Sequence, residues 1–187
     1  EAIASLPDEW QAIDTLINNA GLAVGLESLH EGDPDDWERM IDTNIKGLLY
    51  VTRAVTPGMV ARRAGHIVNL GSIAGREVYP GGAVYCATKH AVRALSQGMR
   101  QDLLPYGIRV SLICPGAVET EFSLVRFKGD NQRAAGVYDG YTPLTADDIA
   151  RTIRFALTAP AHVDLQDILV MPTAQADART IHRTPKG

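Results

Sequence analysis

Cysteine is scarce in this chain of 187 residues, with Cys86 and Cys114 its only two. Two are too few for a disulfide scaffold and read instead as buried thiols in a reducing compartment, the cytoplasm. No apolar run reaches membrane-spanning length, because Lys46, Arg53 and Arg62 interrupt the most hydrophobic helical region. Positive charge is not in excess: a net charge of −4 and a pI near 5.7 argue against nucleic acid as the main partner. The opening Glu1-Ala2-Ile3-Ala4 has neither the basic start nor the apolar core of a secretory signal. It also lacks an initiator methionine and begins in mid-pattern. Repeats and low-complexity tracts are absent as well. What is present, 45% hydrophobic and 21% charged, is the composition of a folded globular chain long enough for a sizeable core.

Apolar runs of strand length alternate with longer helical patterns. Strands are predicted over residues 14–18, 66–70, 108–114 and 167–171. A single long helix is predicted over 35–62, with Asp33 as N-cap, Pro34 in the first turn and Gly65 as its stop. A second helix, 84–104, is stopped by Pro105 and Gly107. Residues 121–141 carry no clean period and read as a loop or short-helix excursion. Thr145 caps a last helix over 146–158, with Asp148 as its capping-box partner, and the tail from Thr173 is polar and unpatterned. The alternation predicts an α/β fold: a doubly wound, Rossmann-like parallel sheet with helices on both faces, in one domain spanning 1–187. Such sheets bind ligands at the carboxyl ends of their strands. Here those ends carry Asn18-Asn19-Ala20-Gly21, Gly71-Ser72 and Pro115-Gly116, so the unusual residues collect at one rim.

Tyr85 and Lys89 are four apart and share one helix face. A free tyrosine ionises near ~10, too high to trade protons at neutral pH, and an adjacent ammonium brings that value down. Ser72 can hold a carbonyl oxygen at the same point while the tyrosine protonates it, which is acid–base chemistry at an alcohol or ketone. Asn44 falls in mid-helix, where asparagine is disfavoured, and suggests a kink with a bound water. His66 and His90 read as surface residues, since no second ligand lies at metal spacing, and no metal site is expected. Cys86 reads as a packed thiol.

Taken in order, Asn18-Asn19-Ala20-Gly21, Asn44, Ser72, Tyr85-x-x-x-Lys89 and Pro115-Gly116-x-Val118-x-Thr120 resemble the short-chain dehydrogenase/reductase family over most of the chain. The resemblance implies hydride transfer between a nicotinamide cofactor and a substrate alcohol or carbonyl. Tyr85 would be the general acid/base and Ser72 the holder of the substrate oxygen. Lys89 would lower the Tyr85 pKa and bind the nicotinamide ribose, and Asn44 would fix a relay water. Asn18, Ala20 and Gly21 would line the cofactor pocket and brace the sheet. Val118 and Thr120, following the Pro115-Gly116 turn, would meet the carboxamide. The segment from Glu121 to Asp130, with Ala161-His162-Val163 and Met171-Pro172, is similar to the subgroup of NADP-dependent 3-hydroxy acid dehydrogenases. That implies NADP, with NAD possible, and a small hydroxy acid whose carboxylate needs a cation. Arg126 and Lys128 are the nearby candidates, with pairing to Asp130 or to a neighbouring subunit the alternative for Arg126. Family members commonly pair through their long helices, which implies a homo-oligomer.

The family's glycine-rich cofactor loop does not occur in this sequence. At ~30 residues per βαβ unit, roughly 60–80 residues of the N-terminal dinucleotide-binding part are expected to precede Glu1. The chain alone is then expected to bind a cofactor poorly, and Glu1 to Trp10 to be the tail of a preceding helix. Two other readings compete: a reductase for another carbonyl such as an acyl thioester, and a non-catalytic assembly protein. The short, polar 121–141 segment argues against long acyl chains.

Overall fold

The computed structural model describes Ile3 and residues 5–184. Four parallel strands, β1 (Thr15–Asn18), β2 (Gly65–Leu70), β3 (Ile108–Pro115) and β4 (Asp167–Val170), form one sheet in the order β1-β2-β3-β4. The helices are α1 (Pro34–Ile41), α2 (Leu48–Arg62), α3 (Ala83–Leu103), α4 (Phe122–Arg126), α5 (Asn131–Gly136) and α6 (Ala146–Leu157). The register runs Ile17 to Val68, Val68 to Ser111 and Ile113 to Ile168.

Strand alternation sorts the core into two layers. Ile67, Val110, Leu112 and Cys114 face one side and pack with Leu48, Val55 and Met59 of the first long helical stretch and Val92 and Leu103 of α3. Val68, Leu70 and Ile113 face the other and pack on Ile149 of α6. The central strands are buried on both faces, as parallel strands between helices must be. The fold is therefore the Rossmann-like, doubly wound α/β sheet, with helices on both faces.

The stretch read as one helix is helical throughout but not uniform. Between α1 and α2 the chain makes a π-helical segment, Asp42–Gly47, with Asn44 buried inside it. A π turn is a local widening of the helix, frequent at functional sites. Pro57 lies within α2 without ending it. The helix closes on Arg63 in the left-handed conformation (φ 52°), not on Gly65. Gly65 begins β2, and a Cβ there would stand 2.6 Å from Met59 Sδ, so close packing, not a turn, requires it. Asp33 caps α1 by accepting from the Asp35 amide, 3.0 Å. Thr145 and Asp148 form the complete capping box of α6.

His66 is a correction: it is 3% exposed, not a surface residue. It falls on the inward side of a strand covered on both faces, where its Nε2 lies 2.8 Å from Ser111 Oγ. Burial pushes its pKa down to about 4. Both cysteines are free and buried. The 121–141 excursion contains α4 and α5. The polar tail has its own order: Asp177 accepts from the Arg179 and Thr180 amides, and the Thr184 amide donates to the Gly140 carbonyl. Before β1 the chain makes a 3₁₀ turn, Asp8–Trp10. Glu1, Ala2 and Ala4, where a preceding helix was expected to end, lie outside the described residues.

Candidate active site

Helix α3 places the central pair. Its buried residues, Tyr85, Cys86, Thr88, Lys89, Val92, Ser96 and Leu103, recur at helical spacing and form the stripe that packs on the sheet. Tyr85 and Lys89 belong to that stripe in the first turns of the helix, at the carboxyl rim of the sheet. Ser72 follows β2 directly and caps a 3₁₀ turn, Ile73–Gly75, by accepting from the Ala74 amide at 3.1 Å. Its hydroxyl also acts on the Tyr85 phenol, lowering the phenol's pKa. The Gly75 position lies against the Lys89 carbonyl, where a Cβ would approach to 2.6 Å, so this turn can sit on α3 only as glycine.

Burial pushes the Tyr85 phenol up to about 12, against the lowering pull of the Arg126 guanidinium and the Ser72 hydroxyl. Lys89 was expected to supply that pull. Its ammonium instead donates to the Leu70 carbonyl at 2.9 Å, and burial brings its pKa down to about 8. The cation that stands over the tyrosine ring is Arg126, whose guanidinium carbon is 5.0 Å from the ring centroid. Arg126 also lies 5.0 Å from the Phe122 ring and 5.8 Å from the Tyr79 ring. Its Nη2 donates to the Tyr79 hydroxyl, 2.8 Å, and its Nε is buried without a hydrogen-bond partner. The pairing with Asp130 weighed above is not formed: Asp130 instead caps α5 by accepting from the Arg133 amide.

The Asn44 carboxamide is engaged by protein groups. Oδ1 accepts from the Leu22 amide (2.8 Å), and Nδ2 donates to the Leu22 carbonyl (2.8 Å) and to Thr88 Oγ1 (3.0 Å). Asn44 thus ties the loop after β1 to α3 through the π segment. Gly21, next to Leu22, approaches both polar groups, and a Cβ there would stand 3.3 Å from Asn44 Oδ1 and from Lys89 Nζ. Ala20 lies beside it on the same loop. Asn18 Nδ2 donates to Asn69 Oδ1 (2.8 Å) and Thr52 Oγ1 (3.0 Å). Asn69 in turn donates to Ser96 Oγ, 2.9 Å. This polar chain runs between the sheet and its two long helices directly below the rim.

At the third strand end, the Gly116 amide donates to the Val170 carbonyl, 2.8 Å. A Cβ on Gly116 would stand 2.5 Å from Gln175 Oε1, which already accepts from the Ala117 amide at 2.8 Å. Glycine after Pro115 is therefore a packing requirement of the tail. The Val118 carbonyl accepts from the Tyr138 hydroxyl (2.8 Å), and Thr120 Oγ1 accepts from the Phe122 amide (3.2 Å). Loop 121–141 is tied across the cleft by Lys128 Nζ, 2.6 Å from the buried Asp36, and by the Gly25 amide donating to the Arg126 carbonyl, 2.9 Å. The cleft between them is lined by Trp37, Met40, Val84, Tyr85 and Arg126, together with the carboxylates Glu27, Asp33 and Asp36.

Thr88, Asn69, Tyr79, Gln175 and Asp36 were not singled out from the sequence. Asn69 carried a signal, since a polar residue inside the apolar run His66-Ile67-Val68-Asn69-Leu70 must find a buried partner. The others gain their partners only through long-range folding. Among the described residues, no group of three or more His, Cys, Asp or Glu could hold a metal ion, and no helix is long and apolar enough to cross a membrane.

A buried tyrosine and lysine on one helix, with a serine after the neighbouring strand, at the carboxyl rim of a parallel sheet, are the arrangement of a short-chain dehydrogenase. The short chain dehydrogenase family model matches residues 1–130, and the chain belongs to that family. In particular, it is 52% identical over 186 residues to the NADP-dependent 3-hydroxy acid dehydrogenase YdfG of Salmonella typhi, covering 98% of this chain and 75% of that protein. It is 48% identical to the NADP-dependent 3-hydroxy acid dehydrogenase of Schizosaccharomyces pombe, over 97% of this chain and 70% of that one. Among solved structures, the closed form of serine dehydrogenase complexed with NADP+ superposes with a TM-score of 0.93 at 50% identity, over 98% of this chain and 75% of that one.

Proposed function

We propose that this chain carries the proton-handling and substrate-binding part of an NADP-dependent 3-hydroxy acid dehydrogenase. The observation that carries the reading is the surroundings of Tyr85. A proton donor, an oxygen-holding hydroxyl (Ser72) and an anion receptor (Arg126) meet at one buried point. A 3-hydroxy acid has its alcohol and its carboxylate a few bonds apart, so one small molecule can meet all three.

The residues present suit the nicotinamide side of the cofactor. Lys89 keeps ammonium donors beyond the one given to Leu70, and the Gly21 and Gly116 turns hold backbone at the rim. Asn18, Ala20, Gly21, Pro115, Gly116, Val118 and Thr120 form the wall on that side. The glycine-rich phosphate cradle is not in this sequence. NADP, when bound, supplies the hydride acceptor.

In oxidation Tyr85 first gives up its own proton, and as phenolate it takes the proton of the substrate hydroxyl that Ser72 orients; in reduction the Tyr85 phenol gives a proton to the carbonyl oxygen. Lys89 passes the proton onward, and Asn44 serves by holding Leu22 and Thr88 so that Lys89 stays in place. Arg126 takes the carboxylate, a charge-assisted contact that selects acids over neutral alcohols. The narrow cleft and the tied 121–141 loop favour small substrates over acyl carriers. Leu49, Tyr50 and Val51 of α2 and Leu104 after α3 are exposed apolar residues, suited to homo-oligomer packing, and the free buried thiols suit the cytoplasm. Assaying the whole enzyme with NADP on serine, allo-threonine and 3-hydroxybutyrate tests the reading. Reduction of NADP by these acids supports it, and activity confined to acyl thioesters or sugars would refute it.

A further inference from the structure

Arg126 stands between Tyr85 and the cleft, yet α4, which bears it, is only five residues long. A guanidinium on so short an element needs an anchor to act as a fixed receptor, and one group supplies it. The Tyr79 hydroxyl accepts from Arg126 Nη2 at 2.8 Å. Tyr79 packs against the buried cluster of Ala23, Met40, Ala74, Tyr85 and Cys86, so the anchor is part of the rigid body of the molecule. The guanidinium is also sandwiched among the rings of Tyr79, Tyr85 and Phe122. Burial raises the Tyr79 pKa, which keeps the phenol protonated while its oxygen accepts from Arg126.

We propose that Tyr79 is a specificity-determining positioning residue: through its hydroxyl it fixes the Arg126 guanidinium over Tyr85, and so sets the preference for substrates with a carboxylate beside the reacting alcohol. The proposal rests on the reading of Arg126 as carboxylate receptor. A planar guanidinium recognises a carboxylate through paired N–H groups, and that geometry fails when the fork is free to turn. With Nη2 committed to Tyr79, the remaining N–H groups keep one orientation. The buried, unpartnered Nε is among them.

The test compares kcat/KM for a 3-hydroxy acid with that for its uncharged methyl ester, in the whole enzyme with NADP. Tyr79→Phe keeps the ring and removes the hydroxyl. It should raise KM for the acid and lower the acid-to-ester ratio about tenfold, with kcat for the ester unchanged. Arg126→Gln should lower the ratio further. In the Arg126→Gln background, Tyr79→Phe should have no additional effect on the ratio, because it acts through the guanidinium. If Arg126→Gln collapses the ratio while Tyr79→Phe leaves it intact, Tyr79 is not the positioning residue and the receptor reading survives. If Arg126→Gln leaves the ratio unchanged, the receptor reading fails and the proposal falls with it. Equal losses on acid and ester in Tyr79→Phe would mean a structural role and would also overturn the proposal.

Discussion

Gly21 and Lys89 meet with little room for a methyl group: a Cβ on the glycine would stand 3.3 Å from the lysine Nζ, and as close to Asn44 Oδ1. Lys89 is 6% exposed and held by the Leu70 carbonyl, so it has little freedom to retreat. Gly21→Ala is expected to keep the fold and to lower kcat by roughly tenfold or more through displacement of the ammonium. Steady-state kinetics beside a melting curve checks this. An unchanged kcat would show that the close approach has no bearing on proton transfer.

Asn44 makes three hydrogen bonds from one buried side chain. Asn44→Ala leaves the Leu22 amide and carbonyl without those partners, at a cost of about 2–3 kcal/mol in stability. Urea unfolding should show the lower midpoint, and kcat should fall with it because Lys89 and Leu22 share this support. A loss of activity without loss of stability would instead favour direct participation of Asn44 in proton relay.

His66 makes stability depend on pH in the mildly acid range. Its folded value of about 4 lies below the ordinary 6.5, because burial opposes the charged ring. Below 6.5 the unfolded chain takes up a proton that the folded chain refuses. Stability therefore falls as pH drops from 6.5 to about 4, by at most about 3 kcal/mol, and this contribution levels off below that. His66→Gln should flatten that portion of a urea-midpoint profile. A slope of equal size in the variant would assign the acid sensitivity elsewhere.

The Lys128–Asp36 pair closes the 121–141 loop across the cleft. Asp36 is 5% exposed, whereas Lys128 is exposed and adopts the left-handed conformation at φ 53°. Lys128→Ala is expected to raise KM several-fold with a smaller effect on kcat, since a loosened loop presents Arg126 less often. Amide hydrogen exchange across 122–136 should quicken in the variant. Unchanged exchange and KM would show that the Gly25–Arg126 backbone bond holds the loop without the ion pair.

The sheet was legible because its strands are short apolar runs bounded by glycine and proline, and because two caps, Asp33 and Thr145, announce their helices. The gathering of Ser72, Tyr85 and Lys89 could be anticipated since each sits at a strand end or on the adjoining helix face. The π segment around Asn44 was hidden, because a helix with one extra residue per turn keeps nearly the same apolar pattern. His66 was misplaced for a related reason: one polar residue in a strand looks like a surface position until the opposite face is known to be covered. The source of cationic influence on Tyr85 was also unreadable. Lys89 is four residues away and Arg126 is forty-one, yet the fold turns Lys89 toward Leu70 and brings Arg126 over the ring.

The central claim is that Tyr85 moves the proton in NADP-dependent oxidation of small 3-hydroxy acids. Tyr85→Phe keeps the ring packed against Phe122 and Arg126 and removes only the hydroxyl. Turnover of serine or 3-hydroxybutyrate by the whole enzyme should fall by at least ~10²-fold, while NADPH affinity, measured by titration, should stay nearly unchanged. Retained turnover, or loss of NADPH binding in step with activity, would contradict the assignment.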